Sequence, residues 1–430
     1  MRRCVLLWVG AALVSIAAGS GVEAQNYQPF RITDNLDSNE GPRLAYNLKS
    51  DQFLVVYSRR NDSNDVDNIW LHGRILDRNG NWLTGEVKIV QIPPFAPPQS
   101  ASSSWDVVYN RNRNEYMVVH ERAQPHHGIN GRVVRANGVR KGRMWHISDS
   151  RFGEDPKVAY NQALREYLVV WRDLPSFSPY VFTPNAVNAR FLFGNGRPFG
   201  PVFGLIGNDG STSYSTDELV FNEVVLSYVL AGVRRFPGPE FGGFQTYGLG
   251  VFWDGSVIDG IRNYGYVNQP RDFQLTADVV TNEFDTRGLV VWEDLRPHQS
   301  WINGFSRWIG WDGGTLHNPR KISDRSVPVQ QVFRVTFDEN RHQYLVVWLE
   351  NTSNTTQRIM GRYVAVNGFP FGREFVITDP VRFPTLGLDV VFDRLSNRYL
   401  VVYAESVQKI AAGLVGEIKG IFVRPDISYP

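Results

Sequence analysis

Four of the eight histidines fall within a short stretch: His120, His126, His127 and His146. His126 and His127 are neighbours in Glu121-Arg-Ala-Gln-Pro-His-His-Gly128, and imidazoles clustered in this way can ligate a metal or exchange protons near neutral pH. No second ligand set stands at a recognised spacing, so solvated loop histidines are the competing reading. Residues 61–68 bring Asp62, Asp65 and Asp67 together, and hard oxygens at that density suit calcium. Their order is not that of a known calcium loop, and a polar turn explains them as well. Trp301, Trp308 and Trp311, followed by Asp312, form a third group. An indole face beside a carboxylate suits a sugar, because the ring covers its apolar C–H face while the acid takes its hydroxyl protons; packing within a core competes with that role. Ligand contacts are therefore expected at His120, His126, His127, Trp301, Trp308 and Trp311. Calcium at Asp62, Asp65 and Asp67 is the metal the sequence suggests beyond those histidines, and no other cofactor is expected. No nucleophile elbow, phosphate loop or zinc-protease motif occurs.

These groups sit on a repeat. Seven times an apolar strand ends in Asn or Asp, five residues pass, and an aromatic-led, β-branched run follows. Ala159-Tyr160-Asn161 followed by Tyr167-Leu-Val-Val-Trp171 is representative, and the closing residues are Asn47, Asn110, Asn161, Asn222, Asn282, Asp338 and Asp393. In the fifth copy Gly288 stands for the aromatic. Asn and Asp bond their own backbone and open tight turns, while continuous Leu-Val-Val runs read as strands buried on both faces. A third strand carries a small residue, often before Arg: Gly73-Arg74, Gly131-Arg132, Ala189-Arg190, Gly361-Arg362. A fourth ends in Ile-Ser/Thr-Asp, as at Ile147-Ser148-Asp149 and Ile377-Thr378-Asp379. Four strands at a mean period of about 58 residues fit the blades of an all-β, seven-bladed β-propeller. The blades are expected near 35–92, 93–149, 150–209, 210–265, 266–324, 325–379 and 380–430. Phe30 to Asp34 reads as a fourth strand without a blade of its own, and the last copy lacks one. Residues 29–34 are therefore expected to complete the seventh blade and close the ring.

Residues 1–24 read as a signal peptide: Arg2 and Arg3, an apolar run from Cys4 to Ala18, then Val22-Glu23-Ala24 before a cut at Gln25. That run is short for a membrane span, and none is expected elsewhere. Cys4, the only cysteine, would leave with the leader, so no disulfide is expected. The remaining chain carries a formal charge near +1, which argues against a nucleic-acid partner.

The repeat, from Ala-Tyr-Asn through Tyr-Leu-Val-Val-Trp and Gly-Arg to Ile-Ser-Asp, resembles a repeat of many exported bacterial proteins. The resemblance covers nearly the whole chain after residue 24. It implies a propeller and export but no activity. The first-to-second-strand gap is constant, whereas the second-to-third-strand connections run 16, 11, 18, 17, 12, 13 and 17 residues. Those connections and the fourth-to-first links share one face of an up-and-down blade, and binding groups favour variable loops on a rigid scaffold. The reading is a secreted or surface-exposed binding module for a carbohydrate or protein, with catalysis not favoured. The alternatives are a polysaccharide lyase or hydrolase working at the central funnel, and a structural or adhesive envelope component.

Overall fold

The computed structural model describes residues 27–35, 37–60, 69–92, 105–121, 128–149, 152–175, 183–236, 243–265, 273–282, 284–295, 302–324, 330–353, 355–378, 381–382, 387–410 and 413–425. The described residues are all-β, with no helix long and apolar enough to cross a membrane. A short strand, β1 (Phe30–Arg31), precedes the first repeat, which holds β2 (Ser38–Asn47), β3 (Gln52–Arg60), β4 (Ile69–Asp77) and β5 (Val87–Ile92). The second holds β6 (Trp105–Asn110), β7 (Glu115–Glu121), β8 (Ile129–Arg135) and β9 (Arg140–His146); the third holds β10 (Gly153–Asn161), β11 (Glu166–Asp173), β12 (Ala186–Phe193) and β13 (Pro198–Ile206). In the fourth, β14 (Ser213–Tyr214) and β15 (Glu218–Asn222) both pair with β16 (Ser227–Arg235), followed by β17 (Phe244–Phe252) and β18 (Val257–Asn263). The fifth has β19 (Phe273–Thr281), β20 (Arg287–Leu295), β21 (Ile302–Gly310) and β22 (Arg320–Lys321). The sixth has β23 (Gln330–Asp338), β24 (Gln343–Asn351), β25 (Thr356–Ala365), β26 (Pro370–Val376) and β27 (Val381–Arg382). The seventh has β28 (Leu388–Asp393), β29 (Arg398–Ile410) and β30 (Gly413–Val423). Within each repeat the main strands pair antiparallel in chain order.

The constant gap has a hydrogen-bond explanation. Each closing Asn or Asp accepts backbone N–H groups two or three residues on: Ser50 to Asn47 at 3.0 Å, Arg113 to Asn110 at 3.0 Å, Leu164 to Asn161 at 2.9 Å, Arg341 to Asp338 at 3.0 Å, Ser396 to Asp393 at 2.9 Å. One residue further on, the chain turns left-handed at Asp51, Asn114, Arg165, Leu226, His342 and Asn397, with φ of 51–58°. That sequence of a side-chain cap and a left-handed residue admits one length. The closing residue also reaches the next repeat. Asn110 donates to the Tyr167 hydroxyl at 2.7 Å, and the Tyr399 hydroxyl donates to Asp338 at 2.9 Å. Where Gly288 removes the ring, the amide of Asn222 turns to the Asp285 carbonyl instead.

The apolar core is divided among the boundaries between repeats. Leu54 and Val56 of the first pack with Val107 and Val118 of the second. Comparable clusters join the second to the third and so on to the sixth and seventh, and one joins Leu400 and Val402 of the seventh to Phe53 and Val55 of the first. Side chains in these runs are essentially unexposed, each contributing about 1.5–3 kcal/mol of burial. The first strands pack in order as well: β2 on β6, β6 on β10, β10 on β15, β15 on β19, β19 on β23, β23 on β28 and β28 on β2.

The third-strand arginines pair with the Asp that ends the preceding fourth strand: Arg74 with Asp34 at 3.3 Å, Arg190 with Asp149 at 3.0 Å, Arg362 with Asp324 at 2.7 Å. The acids at the end of the second strand act locally: Asp173 accepts from Asn188, Glu350 from Arg358, and Glu405 from Lys419. β1 pairs antiparallel with β30, setting Phe30 opposite Gly420 and Arg31 opposite Lys419. A side chain at Gly420 would collide with the Phe30 ring, which explains the small residue there.

Candidate functional site

The first strand of every repeat carries a charged residue four places before its closing Asn or Asp: Arg43, Asp106, Lys157, Glu218, Asp278, Arg334 and Asp389. Because the first strands pack on one another in turn, these residues, at one shared register, form a belt across them. Three of its acids take a backbone amide of the next repeat: Val158 donates to Asp106 at 2.9 Å, Val335 to Asp278 at 2.7 Å, and Leu44 to Asp389 at 2.8 Å. Asp217 accepts Ala277 in the same way at 2.8 Å. Arg334 donates to the carbonyls of Leu388 and Phe333, and Arg43 lies 3.6 Å from Glu218, three repeats away in chain order.

Above the belt the first strands bulge. The register slips between Glu40 and Arg43, Glu154 and Lys157, Leu275 and Ala277, and Gln331 and Arg334. Gly41, Asp155, Thr276 and Val332 take positive φ there. For β-branched Thr276 and Val332 this is a strained conformation, of a kind that collects at functional edges. Carboxylates hold the bulges in place: Glu121 accepts the Asp155 amide at 2.9 Å, and Glu293 accepts Val332 N–H and the Thr276 hydroxyl, both at 2.6 Å.

Burial governs the electrostatics. It pushes the Glu218 carboxyl up to about 8, helped by Asp106 and Asp278, and Glu121 to about 8, helped by Asp155 and Glu154. Asp278 rises to about 6 through burial, against the pull of Arg334. Burial and Arg43 lower Lys157, whose ammonium is enclosed without a hydrogen-bond acceptor. Glu218, which also acts on Lys157, thus sets a proton-carrying acid near a weakened ammonium.

The residues singled out by type do not come together here. His120 takes the position that Trp171 and Trp348 hold in other repeats, and it is fully buried. Its Nδ1 is 2.6 Å from the Glu121 carbonyl, and burial lowers its pKa to about 4, so it stands as a neutral core imidazole at physiological pH. His146 instead contacts Asn130 at 2.8 Å. Trp308 is spent on packing, stacked on His317 at 5.2 Å with Arg287 4.3 Å from its centroid. Trp311 packs near Phe252, and Asp312 caps the turn at Gly314. His126, His127, Trp301, Asp62, Asp65 and Asp67 lie outside the described residues. Among the described residues no three His, Cys, Asp or Glu side chains are grouped to hold a metal. The belt had a signal in the sequence, a charge at one fixed register of seven apolar strands.

Two cavities flank this framework. One of about 440 Å³ lies on the rim of the first repeat, where Arg74 lies 3.9 Å from the Trp82 centroid. Another of about 310 Å³ opens at the turn end of the first strands, lined by Tyr46, Tyr109, Tyr160 and the turn residues after the closing Asn or Asp.

No family model matches the sequence, and no curated protein matches it. The fold does have solved counterparts. A protein of unknown function from Dyadobacter fermentans superposes with a TM-score of 0.55 at 10% identity, over 93% of this chain and 98% of that one. A Hadza microbial sialidase scores 0.45 at 10% identity, over 83% and 73% of the two chains. An acylaminoacyl peptidase from Pyrococcus horikoshii scores 0.47 at 10% identity, over 89% of this chain and 50% of that one. At such identity the first is a likeness of fold alone, and the two lower scores carry no argument.

Proposed function

We propose that the chain is an exported, seven-bladed β-propeller, cleaved before Gln25, that serves as a binding module for a carbohydrate or protein. The ring is supported by the first strands packing in succession back to β2, by a core cluster at each repeat boundary, and by β1 completing the seventh repeat. The observation that carries binding over catalysis is that the axial acids are already committed. Asp106, Asp217, Asp278, Asp389, Glu121 and Glu293 each accept a backbone amide, so they act as ties between blades. The ligand belongs on the face of the second-to-third and fourth-to-first connections, whose unequal lengths break the sevenfold sameness. A glycan array and pull-down of surface proteins, repeated with His126, His127 and Trp301 changed to Ala, test this. Loss of the ligand is expected there, with none when Lys49, Arg113 and Arg341 on the opposite face are changed; the reverse pattern refutes the assignment.

A second reading is a polysaccharide lyase or hydrolase. It is favoured by Glu218 and Lys157, the belt members whose side chains accept or donate no backbone bond across repeats. Release of unsaturated or reducing sugar ends that Glu218→Gln abolishes at unchanged thermal stability would establish it.

A further inference from the structure

We propose that the 310 Å³ cavity at the turn end of the axis is a second site, on the face opposite the variable connections, for one or two neutral sugar rings. Its volume lies at the lower end of the range for small-ligand sites, roughly 300–1,000 Å³. The face is uniform in loop length, yet its chemistry is not. The residue before the closing Asn or Asp is Tyr46, Tyr109 and Tyr160 in the first three repeats, and Phe221, Phe337 and Phe392 in the fourth, sixth and seventh. The three hydroxyls donate to turn residues, Tyr46 to Asp51 at 3.0 Å, Tyr109 to Asn114 at 3.1 Å and Tyr160 to Asn112 at 2.7 Å. These bonds fix the rings without using the cavity, so one side of it is a rigid aromatic wall.

The opposing groups are ionic and paired. Arg111 of the second repeat meets Glu223 of the fourth at 2.7 Å, bridging past the third, and Arg394 meets Glu339 at 2.7 Å. Gln162 also lines the cavity and carries a shielded Oε1 with no hydrogen-bond donor. A buried acceptor of this kind costs about 1–3 kcal/mol while unmet. Leu44, Val107 and Val391 supply apolar lining. An ionic ligand would have to displace one partner of an existing pair, and a purely apolar ligand would leave Gln162 unmet. A neutral polyol satisfies every element: its hydroxyls donate to Gln162 and the carboxylates and accept from the guanidinium groups, while its C–H face meets the aromatic and aliphatic wall.

The test is titration of the full chain with glucose, galactose, N-acetylglucosamine, lactose and cellobiose, followed by saturation-transfer NMR, with glucuronate as the charged comparator. At least one neutral sugar should bind saturably in the millimolar range. Gln162→Leu and Arg111→Met should each weaken it about tenfold, Gln162→Glu should keep it, and Lys88→Ala on the distant rim should leave it unchanged. Absence of binding by every neutral probe, preference for glucuronate, or insensitivity to Gln162→Leu and Arg111→Met overturns the proposal. If either variant fails to fold, the ring resonances of Tyr46, Tyr109 and Tyr160 in the unaltered chain decide, since a bound sugar must shift them. The variants that test this cavity, Gln162→Leu and Arg111→Met, are not those that test the ligand face proposed above, so failure here and failure there are separately visible.

Discussion

Ile32→Ala is the sharpest probe of how the two ends of the chain are joined. Ile32 is fully buried among residues of the first and seventh repeats, with Leu44, Val55, Leu400 and Ile418 in the same cluster. Its amide donates to the Ile418 carbonyl at 2.8 Å, and the neighbouring Thr33 hydroxyl accepts the Ile418 amide at 3.0 Å. Truncating a buried Ile to Ala costs about 2–5 kcal/mol, because the cavity adds to the lost transfer energy. For a chain of this length about 1 °C of melting temperature follows each kcal/mol, so a fall of roughly 2–6 °C is expected. Thr33→Val, which leaves the Ile418 amide without its acceptor, should cost about 1–3 kcal/mol. Val139→Ala on an exposed hairpin is the control and should shift nothing measurable. Differential scanning calorimetry reads all three. Deleting residues 25–34 should in addition expose the edge of β30 and promote aggregation, read by light scattering. If Ile32→Ala behaves like Val139→Ala and the deletion melts unchanged without aggregating, the N-terminal segment does not hold the ring together and the closure argument fails.

The link between blades can be weighed directly: Asn110→Ala removes the cap on Arg113, the bond to Tyr167 and a bond to the Gly194 carbonyl, and should cost about 2–4 kcal/mol in urea unfolding, against about 1 for Tyr167→Phe; equal effects would mean the cap is idle. Stability should also fall as pH rises from 6.5 to 8. Glu121 and Glu218, at about 8 in the fold against 4.5 when unfolded, hold protons across that window that the unfolded chain has released. Below 6.5, His72 and His120 oppose this trend, because their lowered pKa values near 4 make the unfolded chain the better proton binder. Urea midpoints that stay flat from pH 6.5 to 8 would contradict the acid assignments. Should Asp62, Asp65 and Asp67 hold calcium, or His126 and His127 a transition metal, chelation would lower the melting temperature by mass action; elemental analysis showing no metal, with no shift on adding calcium or zinc, removes both ideas.

The local parts of the architecture were legible because their causes are local. An Asn that caps its own turn and a Leu-Val-Val run that buries both faces announce themselves within a dozen residues. The partners of Arg74, Arg190 and Arg362 were not legible, since each lies in the preceding repeat and only assembly brings it near. The same reason hides the belt's purpose: Asp106 answers an amide 52 residues on, and nothing beside it in the sequence asks for a carboxylate. Residue type misled where packing reuses it. His120 has the chemistry of a ligand but the position of a core tryptophan, and Trp308 has an indole whose faces His317 and Arg287 already cover. The unequal connections were plain in the sequence, but their chemistry depends on geometry that spacing alone does not carry.

The order of signs around the belt carries one more consequence. Read in chain order it runs Arg43, Asp106, Lys157, Glu218, Asp278, Arg334, Asp389 and, in the proposed ring, returns to Arg43. Cations and anions alternate at every step but one. Seven is odd, so perfect alternation is impossible, and one pair of neighbours must share a sign. That pair is Glu218 and Asp278, and both carboxyls are pushed up, Glu218 to about 8 and Asp278 to about 6, by burial first. Asp106 and, after it, Asp278 add to the rise of Glu218 by direct repulsion. Holding a proton at Glu218 is the cheapest relief of the mismatch, and above pH 8 that relief is lost. Glu218→Gln keeps the shape while fixing the neutral state, so it should stabilise the protein relative to wild type at pH 8.5, and by a smaller margin at pH 6, where the unfolded carboxyl has already lost its proton but less free energy separates it from the protonated folded one. Asp106→Asn retains an acceptor for Val158 but breaks an alternating contact beside Lys157, and should destabilise at both pH values. Urea unfolding of the two variants at pH 6 and 8.5 separates the cases. A Glu218→Gln protein no more stable than wild type at pH 8.5 would mean that the like-charged step costs nothing, and that the belt's alternation is not what holds its charges in place.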